Sequence, residues 1–226
     1  MRWKTLTVVA AGMLFGACGE VNGPAIEDGP EFALVDRLET RHPDAVILEQ
    51  TIKGDRCGLL NDPGINSSEA PGNTLEHSAS APGLDTYCTS FFVVQGEQTI
   101  LVLYYKGKKK KRPFMHIVIP ENAQLLTDGG LPAMDGDRIE ITLQVDPTQF
   151  LVHFGPHGST FVHGAPAVLV FNYHFAELDG RDPAALRAMY QPSQGEAWGR
   201  IPAQVRVTDR QMRIRIRHFS NYAVAW

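Results

Sequence analysis

The chain has 226 residues, and 21 Lys and Arg against 25 Asp and Glu give it a formal net charge of −4 at pH 7. Mild acidity favours solubility and argues against bulk nucleic-acid binding, which needs a basic surface. The length suits one sandwich domain with an extension, or one and a half smaller units.

Residues 1–17 read as an export signal: Arg2 and Lys4 form a charged start, Leu6 to Phe15 an apolar run, and Gly16 and Ala17 precede Cys18. The run is too short to span a membrane as a mature helix. The ending Phe-Gly-Ala-Cys resembles a bacterial lipobox, with Phe15 in place of the usual Leu. Under that resemblance Cys18 carries the lipid and is the link to the membrane; the alternative is plain secretion with cleavage nearby. Gly19, rather than Asp, after the cysteine favours the outer membrane, on its periplasmic or surface face, by resemblance to enterobacterial sorting. No later stretch is apolar enough for a membrane-spanning helix.

Residues 18–32, with their Gly and Pro among polar side chains, are expected to be a tether. Residues 33–112 are expected to be an N-terminal extension, with a short helix over 33–41 and a first strand in "DAVILEQTI" (44–52). With Cys18 used by lipid, Cys57 and Cys88 are left, and in an oxidising compartment they are expected to pair. The Gly-, Pro- and Ser-rich loop between them has little core of its own, so the crosslink would contribute about 3–4 kcal/mol. The spacing is unlike that of a metal or CxxC redox site.

From Thr89 onward short β segments follow one another. "TSFFVVQ" (89–95) and "TILVLYY" (99–105) are separated by "GEQ", which reads as a hairpin connection. The basic run Lys106, Lys108, Lys109, Lys110, Lys111 and Arg112 reads as the exposed turn of the next hairpin, where lysines also discourage edge pairing. Contact with a polyanion such as lipopolysaccharide is the alternative. Segments 113–120, 137–145, 149–154, 167–173, 203–208 and 211–219 complete an expected antiparallel β-sandwich over 113–226. "DPAALRAMY" (182–190) is the other helical expectation, with Asp182 as cap and Pro183 at the first position. The expected fold class is thus all-β, with one or two short helices.

Three ordered signatures are "HIVIPENAQL" (116–125), "VHFGPHGSTFVHGAPAVLVFNY" (152–173) and the ending "HFSNYAV" (218–224), the last preceded by Trp198 and "VRVTDRQMRIRI" (205–216). Together they resemble the ZU-type domain, the β-sandwich named for zonula-occludens proteins and netrin receptors and present in ankyrins. The resemblance covers residues 113–226 and implies a sandwich used for interaction or structure.

Alternation in the last long strand puts Met212, Ile214, Ile216 and His218 on one face, and Arg213, Arg215 and Arg217 on the other. The isoleucines must be buried, so His218 is expected to point inward and the arginines to form a wet face that can add to a polyanion surface. Two readings of His218-Phe219-Ser220 stand side by side. In one, His218 is a core-edge residue and Ser220 helps a bend. In the other, implied by resemblance to self-cleaving ZU-type and adhesion-receptor domains, Ser220 Oγ attacks the Phe219 carbonyl with His218 as base. Residues two apart on a flat strand lie about 6.5–7 Å apart, beyond direct proton transfer at about 3 Å, so cleavage requires a kink at Phe219.

Eight histidines raise the question of metal, but those at 153, 157, 163 and 174 lack an acidic partner or HExxH spacing. "DGDRIE" (135–140) reads as a turn entering a strand. The chain has no GxSxG elbow, P-loop or dinucleotide fingerprint. No metal, no cofactor, no specific nucleic-acid partner and no enzyme acting on an external substrate are therefore expected.

Overall fold

A computed structural model describes residues 47–49, 70–81, 87–105, 113–126, 130–146, 148–156, 159–163, 166–193 and 195–226, with backbone alone at 47–49, 87–89 and 163. Two six-stranded sheets face each other. Sheet I runs β1(Ile47–Glu49), β3(Thr99–Tyr104), β4(Pro113–Ile119), β9(Ala167–Asn172), β13(Gln211–Ile216), β12(Ala203–Arg206). Sheet II runs β11(Gly199–Ile201), β10(Arg187–Gln191), β14(Asn221–Ala225), β7(Leu151–Gly155), β6(Arg138–Val145), β2(Tyr87–Val94). A small ribbon pairs β5(Gln124–Leu125) with β8(Phe161–His163). Every pairing is antiparallel except β1 with β3. The expected all-β antiparallel sandwich is what the chain forms.

The core between the sheets follows from alternation. Sheet I contributes Leu101, Leu103, Met115, Ile117, Leu169, Phe171, Met212 and Ile214, and sheet II answers with Phe91, Val93, Ile141, Leu143, Val152 and Phe154. β6 shows the simplest pattern, buried at Ile141, Leu143 and Val145 and wetter between them, as a strand with one solvated face requires. β9 is buried at all six positions, and β-branched Val168 and Val170 suit such a strand.

Several sequence expectations need correction. "GEQ" does not close a hairpin: β2 pairs with β6, while β3 pairs with β4. The turn carries the chain from one sheet to the other, with Gly96 at φ +84°. Buried Gln95 secures it, donating through Nε2 to the Ala123 carbonyl and accepting at Oε1 from the Leu125 amide. Residues 87–105 are thereby built into the same two sheets as 113–226. The hairpin across the lysine turn does form, since β3 and β4 run antiparallel from Tyr104 opposite Pro113; the turn itself lies outside the described residues.

The helix expected over 182–190 is instead a 3-10 turn, Pro183–Ala185, followed by β10. Asp182 does cap, accepting from the Ala184 amide at 2.9 Å. Leu186 then turns extended (ψ 145°) and buries itself, because β10 finds ladder partners on both edges, β11 and β14. Tertiary pairing outweighs a helix propensity of tenths of a kcal/mol per residue.

The loop between the two cysteines also contributes to the core. Leu75 is fully buried, its amide donating to the Val224 carbonyl and its carbonyl accepting from the Phe150 amide. Gly155, next to Pro156, is needed for proximity rather than for an unusual φ. A Cβ there would lie 2.5 Å from Thr142 Oγ1.

Candidate functional site

The His218-Phe219-Ser220 segment is the crossover between the sheets. β13 ends sheet I at Ile216, β14 begins in sheet II at Asn221, and residues 217–220 lie outside regular strand. The crossover is held by the loop before β8. Phe161 N–H donates to the Arg217 carbonyl at 2.7 Å, and Phe219 N–H to the Ser159 carbonyl at 2.8 Å. On the far side Phe154 N–H donates to the Ser220 carbonyl at 2.9 Å.

This geometry shifts the alternation by one residue. Ile216 is buried, Arg217 is exposed, and the next inward side chain is Phe219, fully buried between Phe154 and Phe161 with ring centroids 5.5 and 5.2 Å away. His218, expected inward, is half-buried at the rim, its ring 4.8 Å from that of Tyr190 and its Nε2 3.4 Å from the Tyr190 hydroxyl. Burial lowers its pKa from the usual histidine value. Its carbonyl accepts from Tyr222 Oη at 2.7 Å. The two aromatics of "FGPHGSTF" do turn into the core as expected, and Phe219 is what they hold.

The Ser220 hydroxyl is buried and directs its single proton to the loop after β10, within 2.9 Å of the Gln191 carbonyl and 2.5 Å of the Pro192 carbonyl. Burial raises the pKa of the neighbouring Tyr190 phenol, with the Ser220 side chain acting the other way. Asn221 extends the network, donating to Gln191 Oε1 at 2.7 Å and facing His153 Nδ1 at 2.9 Å. Gln191 Nε2 in turn donates to the Glu196 carbonyl at 2.7 Å.

Chemically, this arrangement is a clamp. A nucleophilic serine gives its proton to a base, whereas Ser220 gives it to backbone carbonyls. The non-glycine residues with positive φ among those described are Asp179 and Arg210, so the Phe219–Ser220 peptide is not flanked by a left-handed residue of the kind that stores strain. The kink that self-cleavage requires is nonetheless present.

Sequence reasoning missed Tyr190, Gln191, His153 and Asn221. Tyr190 and Gln191 fell in or beside the expected helix. The pairing of β10 with β14 sets Tyr190 opposite Tyr222 and Gln191 opposite Asn221, a juxtaposition without a local sequence signal.

The arginine stripe is corrected too. Arg213 is fully buried and Arg215 half-buried; only Arg217 is exposed. β13 lies inside sheet I, between β9 and β12, and its outward face is not wet. Arg213 Nε and Nη2 both donate to Gln211 Oε1, at 3.2 and 3.1 Å.

Cys18, Cys57 and the run Lys106–Arg112 lie outside the described residues, and of Cys88 only the backbone, in β2, is described. Among the described residues, no group of three metal-ligating side chains occurs, and His153 serves Asn221. No family model matches the chain. Neither a curated protein nor a solved structure matches it.

Proposed function

We propose that this chain is a non-catalytic lipoprotein of the bacterial cell envelope, an interaction or structural module tethered through Cys18. The observation that carries the non-catalytic reading is the Ser220 hydroxyl, buried and committed to the Gln191 and Pro192 carbonyls. His218-Phe219-Ser220 then works as a lock: Phe219 plugs the core where the chain changes sheets, and Ser220 fastens the neighbouring loop. Two facing antiparallel sheets support the ZU-like reading at the level of architecture, and the Cys57–Cys88 crosslink belongs to it as an export feature.

The anchor has its own test. Cys18→Ser is expected to move the protein from the membrane fraction to the soluble extract and to abolish incorporation of labelled palmitate. Unlabelled wild-type protein would contradict the anchor.

A second reading is favoured by the break in strand at 217–220, beside which the Tyr190 hydroxyl lies 3.4 Å from His218 Nε2. Here Ser220 Oγ adds to the Phe219 carbonyl carbon and the Ser220 nitrogen leaves as an amine, giving an ester. Water then cleaves the ester to a Phe219 carboxylate and a free Ser220 hydroxyl. The mass of the purified chain separates the readings. A polyanion-binding role for Lys106–Arg112 ranks third, without support from the arginine stripe now that Arg213 is buried.

A further inference from the structure

Residues 73–78 lie outside every named strand, yet their backbone is bonded on both sides. The Leu75, His77 and Ser78 amides donate to the carbonyls of Val224, Thr148 and Phe175. In return the carbonyls of Asn73, Leu75 and Glu76 accept from the amides of Trp226, Phe150 and Glu177. The segment thus ties β14 and the loop before β7, both of sheet II, to the loop that follows β9 of sheet I. It crosses one end of the sandwich as a strap.

Its grip on the core is small. Leu75 is the one apolar side chain that the strap puts there, and it runs between exposed residues, Gly72 and Asn73 before it and Ala79 and Ser80 after it. A segment with so few buried contacts sits at the low end of local stability.

The second anchor is His77. Its ring packs among Phe150, Phe114 and Tyr105, with centroids 4.2, 5.5 and 5.6 Å away, and its Nδ1 lies 3.2 Å from the Tyr105 hydroxyl. Most of what faces this ring is uncharged. β4 brings Phe114, and the end of β3 brings Tyr105, a phenol that burial keeps neutral. The loop before β7 brings Phe150 and the Asp146 carboxylate. The loop after β9 sets Ala176 opposite His77, flanked in sequence by His174 and the exposed Glu177; the strap itself carries exposed Glu76.

Asp146 and the Gln149 backbone favour a proton on the ring, but desolvation outweighs both and lowers the His77 pKa from 6.5 to about 4. The docked ring is therefore neutral, while a ring lifted into water takes up a proton below about pH 6.5. Docking is fully favoured above that pH and weakens as pH falls toward 4.

We propose that residues 73–78 form an acid-released strap: protonation of His77 lifts the segment and uncovers the seat of Leu75 while the two sheets stay paired. The device is local, distinct from unfolding of the whole domain.

Hydrogen exchange of the full chain, corrected for the intrinsic effect of pH, reads the strap. Between about pH 7 and 5 the Leu75, His77 and Glu177 amides are expected to lose protection about twentyfold, the ratio set by a histidine of pKa 6.5 when lifted and about 4 when docked. At both pH values they should be less protected than β9 amides, which open only with the whole fold. His77→Phe is expected to remove the fall at Leu75 and Glu177. His116→Leu should leave that fall unchanged, because His116 stays buried in β4 when the strap lifts, yet lessen the fall at β9. Equal protection of strap and β9 at pH 5 would overturn the proposal, since the segment would then open only by global unfolding. So would a strap fall that persists in His77→Phe or shrinks in His116→Leu.

Discussion

Phe219→Ala is expected to destabilise the fold by about 3–5 kcal/mol, the cost of emptying a fully buried aromatic site. The ring has no exposed surface and is gripped by Phe154 and Phe161. The Ser159 carbonyl and the Phe161 N–H are bonded to residues 219 and 217, which holds the surrounding backbone in place and resists collapse into the emptied site. His218→Ala should cost far less, under about 1 kcal/mol, since its side chain sits at the rim. Urea unfolding of both variants measures the contrast. A plain reading of strand alternation predicts the reverse order, with His218 inward, so equal or inverted effects would refute the one-residue shift at the crossover.

Acid is expected to weaken the protein over a window set by two buried histidines. Desolvation, partly offset by Asp146 and by the backbone at Gln149, lowers the His77 pKa from 6.5 to about 4. For His116 desolvation leads and the Arg213 charge adds to it, again to about 4. Both rings are neutral in the native state at pH 5, whereas the unfolded chain binds protons there. Their contribution to stability is therefore full above about pH 6.5 and is lost as pH falls toward 4. Each histidine can contribute a slope of up to about 1.4 kcal/mol per pH unit, with His77 below that ceiling because part of its ring reaches solvent. Urea midpoints between pH 7.5 and 4 provide the curve. His116→Leu should flatten it by roughly half, whatever it does to stability at neutral pH, and an unchanged slope would contradict a buried neutral His116.

How much of this was legible in the sequence depended on whether the signal was local. Alternation in "RIEITLQV" (138–145) and the aliphatic density of "AVLVFN" (167–172) marked their strands, because burial on one or both faces imposes itself on consecutive residues. The turn "FGPHGSTF" was readable as a device for returning two aromatics to the core. What those aromatics enclose was not, since Phe219 lies some sixty residues away and is brought inward by an irregular crossover. β10 was hidden for a similar reason. "ALRAMY" has good helix formers, and its pairing with β11 and β14 depends on strands formed later in the chain. Arg213 looked solvent-facing by parity, and parity did place it on the outer face. What parity could not supply was the burial of that face. The clamp at Ser220 was half visible: the hydroxyl was noticed, but its acceptors, the Gln191 and Pro192 carbonyls, are backbone atoms that carry no sequence signature.

The measurement that bears most directly on the locked, non-catalytic crossover is the intact mass, under denaturing conditions, of freshly purified protein and its Ser220→Ala variant. The account predicts one full-length species for each, differing by a single oxygen atom. A wild-type chain ending at Phe219, accompanied by the free peptide Ser-Asn-Tyr-Ala-Val-Ala-Trp, with neither present in the variant, would contradict it and establish Ser220 as a nucleophile.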